Sequence, residues 1–306
     1  MGTNQKKGMP MQERSFGPVR FLPGDNKGKW PACHSVYIEK AGILIDPASN
    51  RERLIQLRNE SAVNEIWLSH WHEDHIAHLD LFDDLPLKIS KPDAPQLADI
   101  ELFLKGYGFE DDDHGQFWRK MMVEQFHYRP RKPSEFLKGG QVIELENLTV
   151  EIIHTPGHTP GHLAFYFKEP AVLFMGDYDL TKFGPWYGDR EGSIRQTISS
   201  VNRLRKVPAR VWLTCHEDGV FDSEISDLWD QYLSVIDVRE SKLLDHLQQP
   251  RTMEEIVEAW IVYRKPREPK AFFAFGEKAT MGKHLEVLMD KSIVAKDGEH
   301  YYLTVK

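Results

Sequence analysis

Short apolar runs broken at turn residues dominate the first two thirds of the chain, and helical spacing takes over after about Phe221. SVYIEKAGILIDP, from Ser35 to Pro47, reads as a hairpin with Lys40-Ala41-Gly42 at its turn and Asp46-Pro47 closing the second strand. RERLIQLRNE follows with Leu54 and Leu57 one turn apart, which predicts a helix. EIWLS is a short apolar run suited to a buried strand, and DHIAHLDLF behind it predicts another helix. From about 92 to 133 the pattern is helical but irregular, and we read it as an insertion. Its acidic run, Glu110 to Asp113, fits a solvated turn, while Phe117, Trp118, Phe126 and Tyr128 fit core positions. Strand signals return at QVIEL, LTVEIIH, LAFYF, AVLFMGD and RVWLTCH, with a helix predicted over 193–205.

Beyond that point DLWDQYLSVIDVRESKLLDHLQQ, RTMEEIVEAWI and KATMGKHLEVLMDKS predict three helices. SIVAKDGEHYYLTV then makes two strand-like runs around Asp297-Gly298, a hairpin signal. The order predicts a small winged-helix-like module over 226–306, behind a main domain over 17–225 and a tail over 1–16. Charges of both signs alternate in the module. That suits packing or association, a homodimer included, better than reading DNA.

The 306 residues, 41% hydrophobic and 28% charged, allow one large or two moderate domains with a buried core. A net charge of -8 gives no support for broad binding to nucleic acid or anionic membrane. No stretch approaches the roughly 18 apolar residues of a spanning helix. MGTNQKKGMPMQERSFG has no apolar segment, so it does not read as a secretory signal. Cys33 and Cys215 are far apart in sequence, which argues against a disulfide framework and sets the expected compartment as the cytoplasm.

The candidate chemistry lies in SHWHEDHIAH, Ser69 to His78. His70 and His72 are two apart and face the same side of an extended segment. Asp74 and His75 follow where the chain turns into a helix. Imidazole nitrogens and carboxylate oxygens are the donors that Zn, Fe and Mn accept, and this spacing aims them in two directions, as two adjacent ions need. HTPGHTPGH adds a loop stiffened by proline, in which spacing alone does not choose among His154, His158 and His162. Asp177 in FMGDYD is placed to bridge two ions, and His216 ends the strand RVWLT.

On these residues the chain resembles the metallo-β-lactamase-fold hydrolase superfamily, which includes glyoxalase II-type enzymes. Five ordered motifs over about 17–222 carry the likeness: a strand ending IDP, then SHWHEDH, TPGHTPGH, MGD and TCH. The resemblance implies an α/β fold, a four-layer αββα sandwich. It further implies one metal site of His70, His72 and His158 and a second of Asp74, His75 and His216, with Asp177 bridging and Asp46 supporting the ligands from outside. Two divalent ions follow, Zn expected and Fe or Mn possible. The carboxy-terminal module resembles the winged-helix tail of the subfamily containing the endoribonuclease β-lactamase-like protein two. One departure is Ile76-Ala77-His78, where the family commonly has a small-residue pair; it leaves His78 either an outer support or simply exposed. His72 argues against the flavodiiron branch, which carries Glu there, and the 39 positions between Asp177 and His216 leave no room for a β-CASP insertion.

The expected reaction is hydrolysis of a small ester, thioester or lactone by a metal-bridging hydroxide, with Asp74 handling the proton. A mononuclear iron persulfide dioxygenase and a single-stranded RNA endonuclease are the alternatives. Tyr178, Lys182, Trp186 and Tyr187, in the loop after Asp177, are candidates for the mouth of a substrate pocket. The insertion near Trp118 is placed to cap it. RKPREPK, Arg264 to Lys270, reads as a solvated linker or as a contact for an anionic substrate.

Overall fold

A computed structural model describes residues 11–304. The tail expected over 1–16 lies outside the described residues up to position 10, and its end is corrected. β1 (Arg14–Phe16) pairs antiparallel with β2 (Val19–Leu22), because Gly17, at φ 60°, turns the chain back on itself. β3 (Ser35–Ile38) and β4 (Ile43–Ile45) form the hairpin read from SVYIEKAGILI, with Lys40 and Gly42 both at positive φ in the turn. From β4 the first sheet continues in parallel through β5 (Glu65–Trp67), β6 (Leu87–Ser90) and β7 (Glu135–Leu137). Parallel neighbours need crossovers, and helices supply them. α1 (Arg51–Asn59), capped by the Asn50 side chain, joins β4 to β5. α2 (Glu73–Ile76) and a 3-10 turn (Leu79–Phe82) join β5 to β6, so DHIAHLDLF is two short pieces instead of one helix. The insertion joins β6 to β7.

The second sheet runs in the order β13-β12-β11-β10-β9-β8. Its strands are β8 (Val142–Leu145), β9 (Leu148–His154), β10 (Leu163–Phe167), β11 (Val172–Phe174), β12 (Val211–Leu213) and β13 (Val220–Phe221). Strand β10 shows why two layers of helix and two of sheet result. Its alternate residues Phe165 and Phe167 join the core between the sheets, with Trp67 and Ile45. The residues between them, Ala164 and Tyr166, join a second core with Val201 and Leu204 of α6 (Ile194–Leu204) and Trp229 and Tyr232 of α7 (Ser226–His246). Each fully buried aromatic contributes about 1.5–3 kcal/mol, so both faces of the strand are fixed. The architecture is the αββα sandwich.

The insertion holds α3 (Ala94–Ala98), α4 (Ile100–Tyr107) and α5 (Asp113–Glu124). Its acidic run is exposed, and Asp112 caps α5 by accepting from the Gly115 amide at 2.8 Å. Trp118, Phe126 and Tyr128 are buried, but Phe117 is 60% exposed, since it lies a hundred degrees round the helix from Trp118.

After α7 come α8 (Met253–Glu258), closed by a Thr252/Glu255 capping box, then α9 (Lys270–Asp290) and the hairpin β14 (Val294–Asp297) and β15 (His300–Leu303). They share a separate small core of Leu243, Ile256, Met281, Leu285 and Val294. Helix α9 starts eight residues earlier than its spacing predicts, directly after Pro269. The buried Glu277 carboxylate stabilises this start by accepting from the Val262 and Tyr263 amides at 3.0 and 2.7 Å. Among the described residues no helix is long and apolar enough to cross a membrane.

Candidate metal centre

The candidate donors gather where β4, β5, β11 and β12 end. In HWH the strand alternation is still in force. His70 and His72 turn inward together, while Trp71 between them is buried against Phe103 and Tyr107. Helix α2 then carries Asp74 and His75 to the same place. The loop between β9 and β10 brings His158, whose Nε2 lies 3.1 Å from His70 Nε2 and 3.0 Å from His72 Nδ1.

Asp177 faces both groups. Its Oδ2 lies 3.2 Å from His158 Nε2 and 4.0 Å from His70 Nε2. Its Oδ1 lies 2.9 Å from His75 Nε2 and 3.2 Å from His216 Nε2. Asp74 closes the second group, with oxygens 3.8 Å from His75 Nε2 and 3.6 Å from His216 Nε2. Two three-sided donor sets therefore share one carboxylate. Burial opposes ionisation of Asp177, yet His75, His216 and His158 hold its carboxyl well below the usual range. Burial drives His70 the other way, to the neutral form that ligates.

The outer nitrogens fix which lone pairs point inward. His75 Nδ1 donates to Asp46 Oδ2 at 2.9 Å, and His70 Nδ1 to Ser69 Oγ at 2.9 Å. Ser69 passes the contact on to Asp46 Oδ2 at 2.7 Å, so one buried carboxylate orients two histidines. His158 Nδ1 donates to the Trp186 carbonyl at 3.2 Å, His216 Nδ1 to the Gly28 carbonyl, and His72 Nε2 to Asp189 Oδ2 at 2.7 Å. All five imidazoles thus have the outer nitrogen on an acceptor and the inner nitrogen turned to the donor group, the arrangement ligand histidines need.

The residues fit a pair of divalent ions on a second ground. His75 Nε2 and Asp177 Oδ1 are buried 2.9 Å apart, yet neither makes a hydrogen bond of good geometry, to the other or to anything else. Each such orphan costs about 1–3 kcal/mol, and a cation between them satisfies both.

Asp46 therefore lies behind the candidate donors, bonded to His75 directly and to His70 through Ser69. His78 touches none of the donors: its Nδ1 contacts Arg51 at 3.1 Å, which is itself paired with Asp80. Two expected mouth residues are corrected. Tyr178 is 1% exposed and its hydroxyl donates to the Thr155 and Pro156 carbonyls; Tyr187 is fully buried with its hydroxyl 2.8 Å from His284 Nε2. Both aromatics are consumed by packing. Lys182 is exposed, and half-buried Trp186 braces the site, its Nε1 donating to Asp189 Oδ1 at 2.8 Å.

Asp189, Asp93 and Glu73 carry no advance signal in the sequence, and His162 only that of a loop histidine left undecided. Asp189 holds His72. His162 accepts the Asp177 amide at 3.3 Å, and Gly176 makes that approach possible, because a Cβ there would come 2.5 Å from His162 Nε2. Buried Asp93, pushed up to about 7 by desolvation, accepts from Thr159 Oγ1 and the Gly161 amide at 2.6 Å each and clamps the histidine loop. Glu73 accepts from Trp30 Nε1 at 2.9 Å and from the Tyr107 hydroxyl. Cys33 and Cys215, distant in sequence, lie within 4.8 Å of each other beside His75. We expect Asp189→Asn to weaken metal binding by about 10–100-fold, measured by competition with a chromophoric chelator, while the thermal midpoint stays near that of the parent.

Comparison with known proteins agrees with this geometry. The family model for the metallo-β-lactamase superfamily matches residues 28–216. A hydroxyacylglutathione hydrolase of Hyphomonas neptunium is 28% identical over 160 residues, covering 51% of this chain and 48% of its own. A probable metallo-hydrolase of Streptococcus pyogenes is 31% identical over 168 residues, covering 53% and 65%. The chain thus spans about half to two thirds of these relatives. A metallo-β-lactamase family protein of Thermus thermophilus has the same fold at TM-score 0.71 and 22% identity, over 94% of this chain and 98% of its own. A β-lactamase domain protein of Burkholderia ambifaria aligns over 98% and 97% at TM-score 0.69 and 16% identity, so the shared fold extends through the carboxy-terminal helices. As that family model spans more than half of the sequence, the chain belongs to the metallo-β-lactamase superfamily.

Proposed function

We propose that the protein is a metal-dependent thioester hydrolase. The observation that carries the reading is the shared carboxylate: Asp177 turns one oxygen to His158 and the other to His75 and His216, so seven side chains are arranged for two ions. The hydroxyacylglutathione hydrolases among its relatives favour a thioester over other acyl substrates. The chemistry such a pair of divalent ions supplies is a water acidified towards neutral pH and a polarised substrate oxygen. Zinc is the ion we expect, since nitrogen donors outnumber oxygen five to two in the proposed set.

The protein's own residues do the rest. Asp74, 8% exposed in its side chain, is placed to orient the attacking water and to take its proton. The Asp46–Ser69 pair and Asp189 keep the imidazoles from rotating. Tyr107 is stacked on His72 at 4.9 Å between centroids, and Trp30 is tied at 2.9 Å to Glu73 beside it. Cys33 and Cys215 are free thiols, which suits a reducing cytoplasm. The test is a panel of thioesters and esters against metal-replete protein, before and after chelation. Thioester cleavage that disappears with a chelator and returns with Zn is the expected result. One iron per chain with thiol-dependent oxygen uptake and no hydrolysis would overturn the reading.

A further inference from the structure

We propose that an aromatic subsite beside the metal centre, half of it built by the carboxy-terminal module, binds the acyl group of an apolar thioester, aryl or medium-chain alkyl. The substrate class rests on the thioesterase reading above. The subsite starts at Trp30. Its indole is tied at 2.9 Å to Glu73, the residue between the proposed ligands His72 and Asp74. Two residues earlier the Gly28 carbonyl accepts from His216, so the loop carrying Trp30 is fixed to both sides of the centre.

From Trp30 the rings run on without a gap. Phe272 of α9 lies 4.7 Å away between centroids, Phe273 a further 5.2 Å, Tyr263 5.0 Å beyond that and Phe183 another 5.5 Å. Phe183 returns the arc to the loop that follows Asp177, where buried Arg239 holds its carbonyl at 2.7 Å. Trp30 and Phe183 are 40% and 39% exposed, and the three rings between them are half-buried. Arg267 lies over the Tyr263 and Phe273 rings at 5.7 Å, and Phe272 is seated on Trp118 at 5.6 Å between centroids.

Single exposed aromatics are ordinary, but a joined row of five that starts on the indole tied to Glu73, between two proposed ligands, is not. A glutathione-type thioester is polar and charged along its leaving group and gains little from such a surface. An apolar acyl chain attached to the reacting carbonyl would lie along it, gaining up to about fourfold in kcat/KM for each methylene withdrawn from water. Phe272 is then a specificity residue, and it gives the carboxy-terminal module a role at the site.

The experiment uses the full metal-loaded chain with acetyl, octanoyl and benzoyl thioesters of N-acetylcysteamine. Octanoyl and benzoyl substrates should exceed acetyl by roughly tenfold or more in kcat/KM. Phe272→Ala should lower the octanoyl-to-acetyl ratio by about fivefold or more, and Phe272→Leu should lower it less while still losing the benzoyl preference. A parent enzyme indifferent to acyl group, or a Phe272→Ala protein of unchanged thermal midpoint that loses all three substrates equally, overturns the subsite and leaves thioester hydrolysis standing. If no thioester is cleaved, the hydrolase reading fails instead. Calorimetry with the S-octyl thioether then decides the subsite: binding that weakens in Phe272→Ala supports it, and no binding overturns it.

Discussion

Asp177→Asn should lower turnover by about a thousandfold or more and reduce the metal bound at saturation by roughly one ion per chain. The substitution removes almost no volume, so packing is not what is being tested. An asparagine has one neutral oxygen and one NH2. Whichever way it sits, the NH2 turns a donor towards either His158 or the His75–His216 pair, where the carboxylate now presents an acceptor to both at 3.2 Å or less. The anion that offsets two adjacent cations is lost as well. Loss of about 4 kcal/mol of electrostatic stabilisation accounts for the stated fold. Elemental analysis and kcat on the loaded protein are the two readouts, and both must move. A variant with full metal content and a tenfold defect would show that the carboxylate serves the substrate and not the ions.

What the sequence reveals and what it hides divides along a physical line. Candidate ligands announce themselves because their neighbours are also constrained: His70 and His72 need strand alternation, and Asp177 needs a glycine before it so that His162 can approach. The hairpin at Lys40 to Gly42 and strand β10 were legible for the same local reason. Asp189, Asp93 and Glu73 were not, since each acts on a group at least 66 positions away or through aromatic partners such as Trp30 and Tyr107. Nothing near Asp189 in the chain says that His72 will need an acceptor for its outer nitrogen. Tyr178 and Tyr187 misled in the opposite sense. An aromatic beside a ligand reads as a pocket wall, but here the hydroxyls found partners in the interior and the rings are buried. The cysteines make the same point, brought from opposite ends of the main domain to one side of His75 by the meeting of β3 and the end of β12.

Arg239→Ala should destabilise the protein by about 2–4 kcal/mol and, though the residue is remote from the donors in sequence, weaken metal binding by about tenfold or more. Arg239 lies on α7, 3% exposed, and donates to the Phe183 and Pro185 carbonyls at 2.7 and 2.9 Å and to the Tyr187 hydroxyl at 3.1 Å. Helix α9 grips the far end of the same loop, with Lys283 Nζ donating to the Arg190 carbonyl at 2.8 Å. Between these grips sit the Trp186 carbonyl, which holds His158, and Asp189, which holds His72. The orientations of two proposed ligands in the main domain therefore depend on cations supplied by the carboxy-terminal helices. Truncating Arg239 leaves two buried carbonyls without partners and frees the loop, so the loss should appear in chelator competition as well as in the thermal midpoint. Arg239→Lys keeps the charge but reaches fewer acceptors and should fall between the two. An alanine variant that melts several degrees lower yet holds its metal as tightly as the parent would show that the loop keeps its shape unaided, and that α7 contributes stability alone.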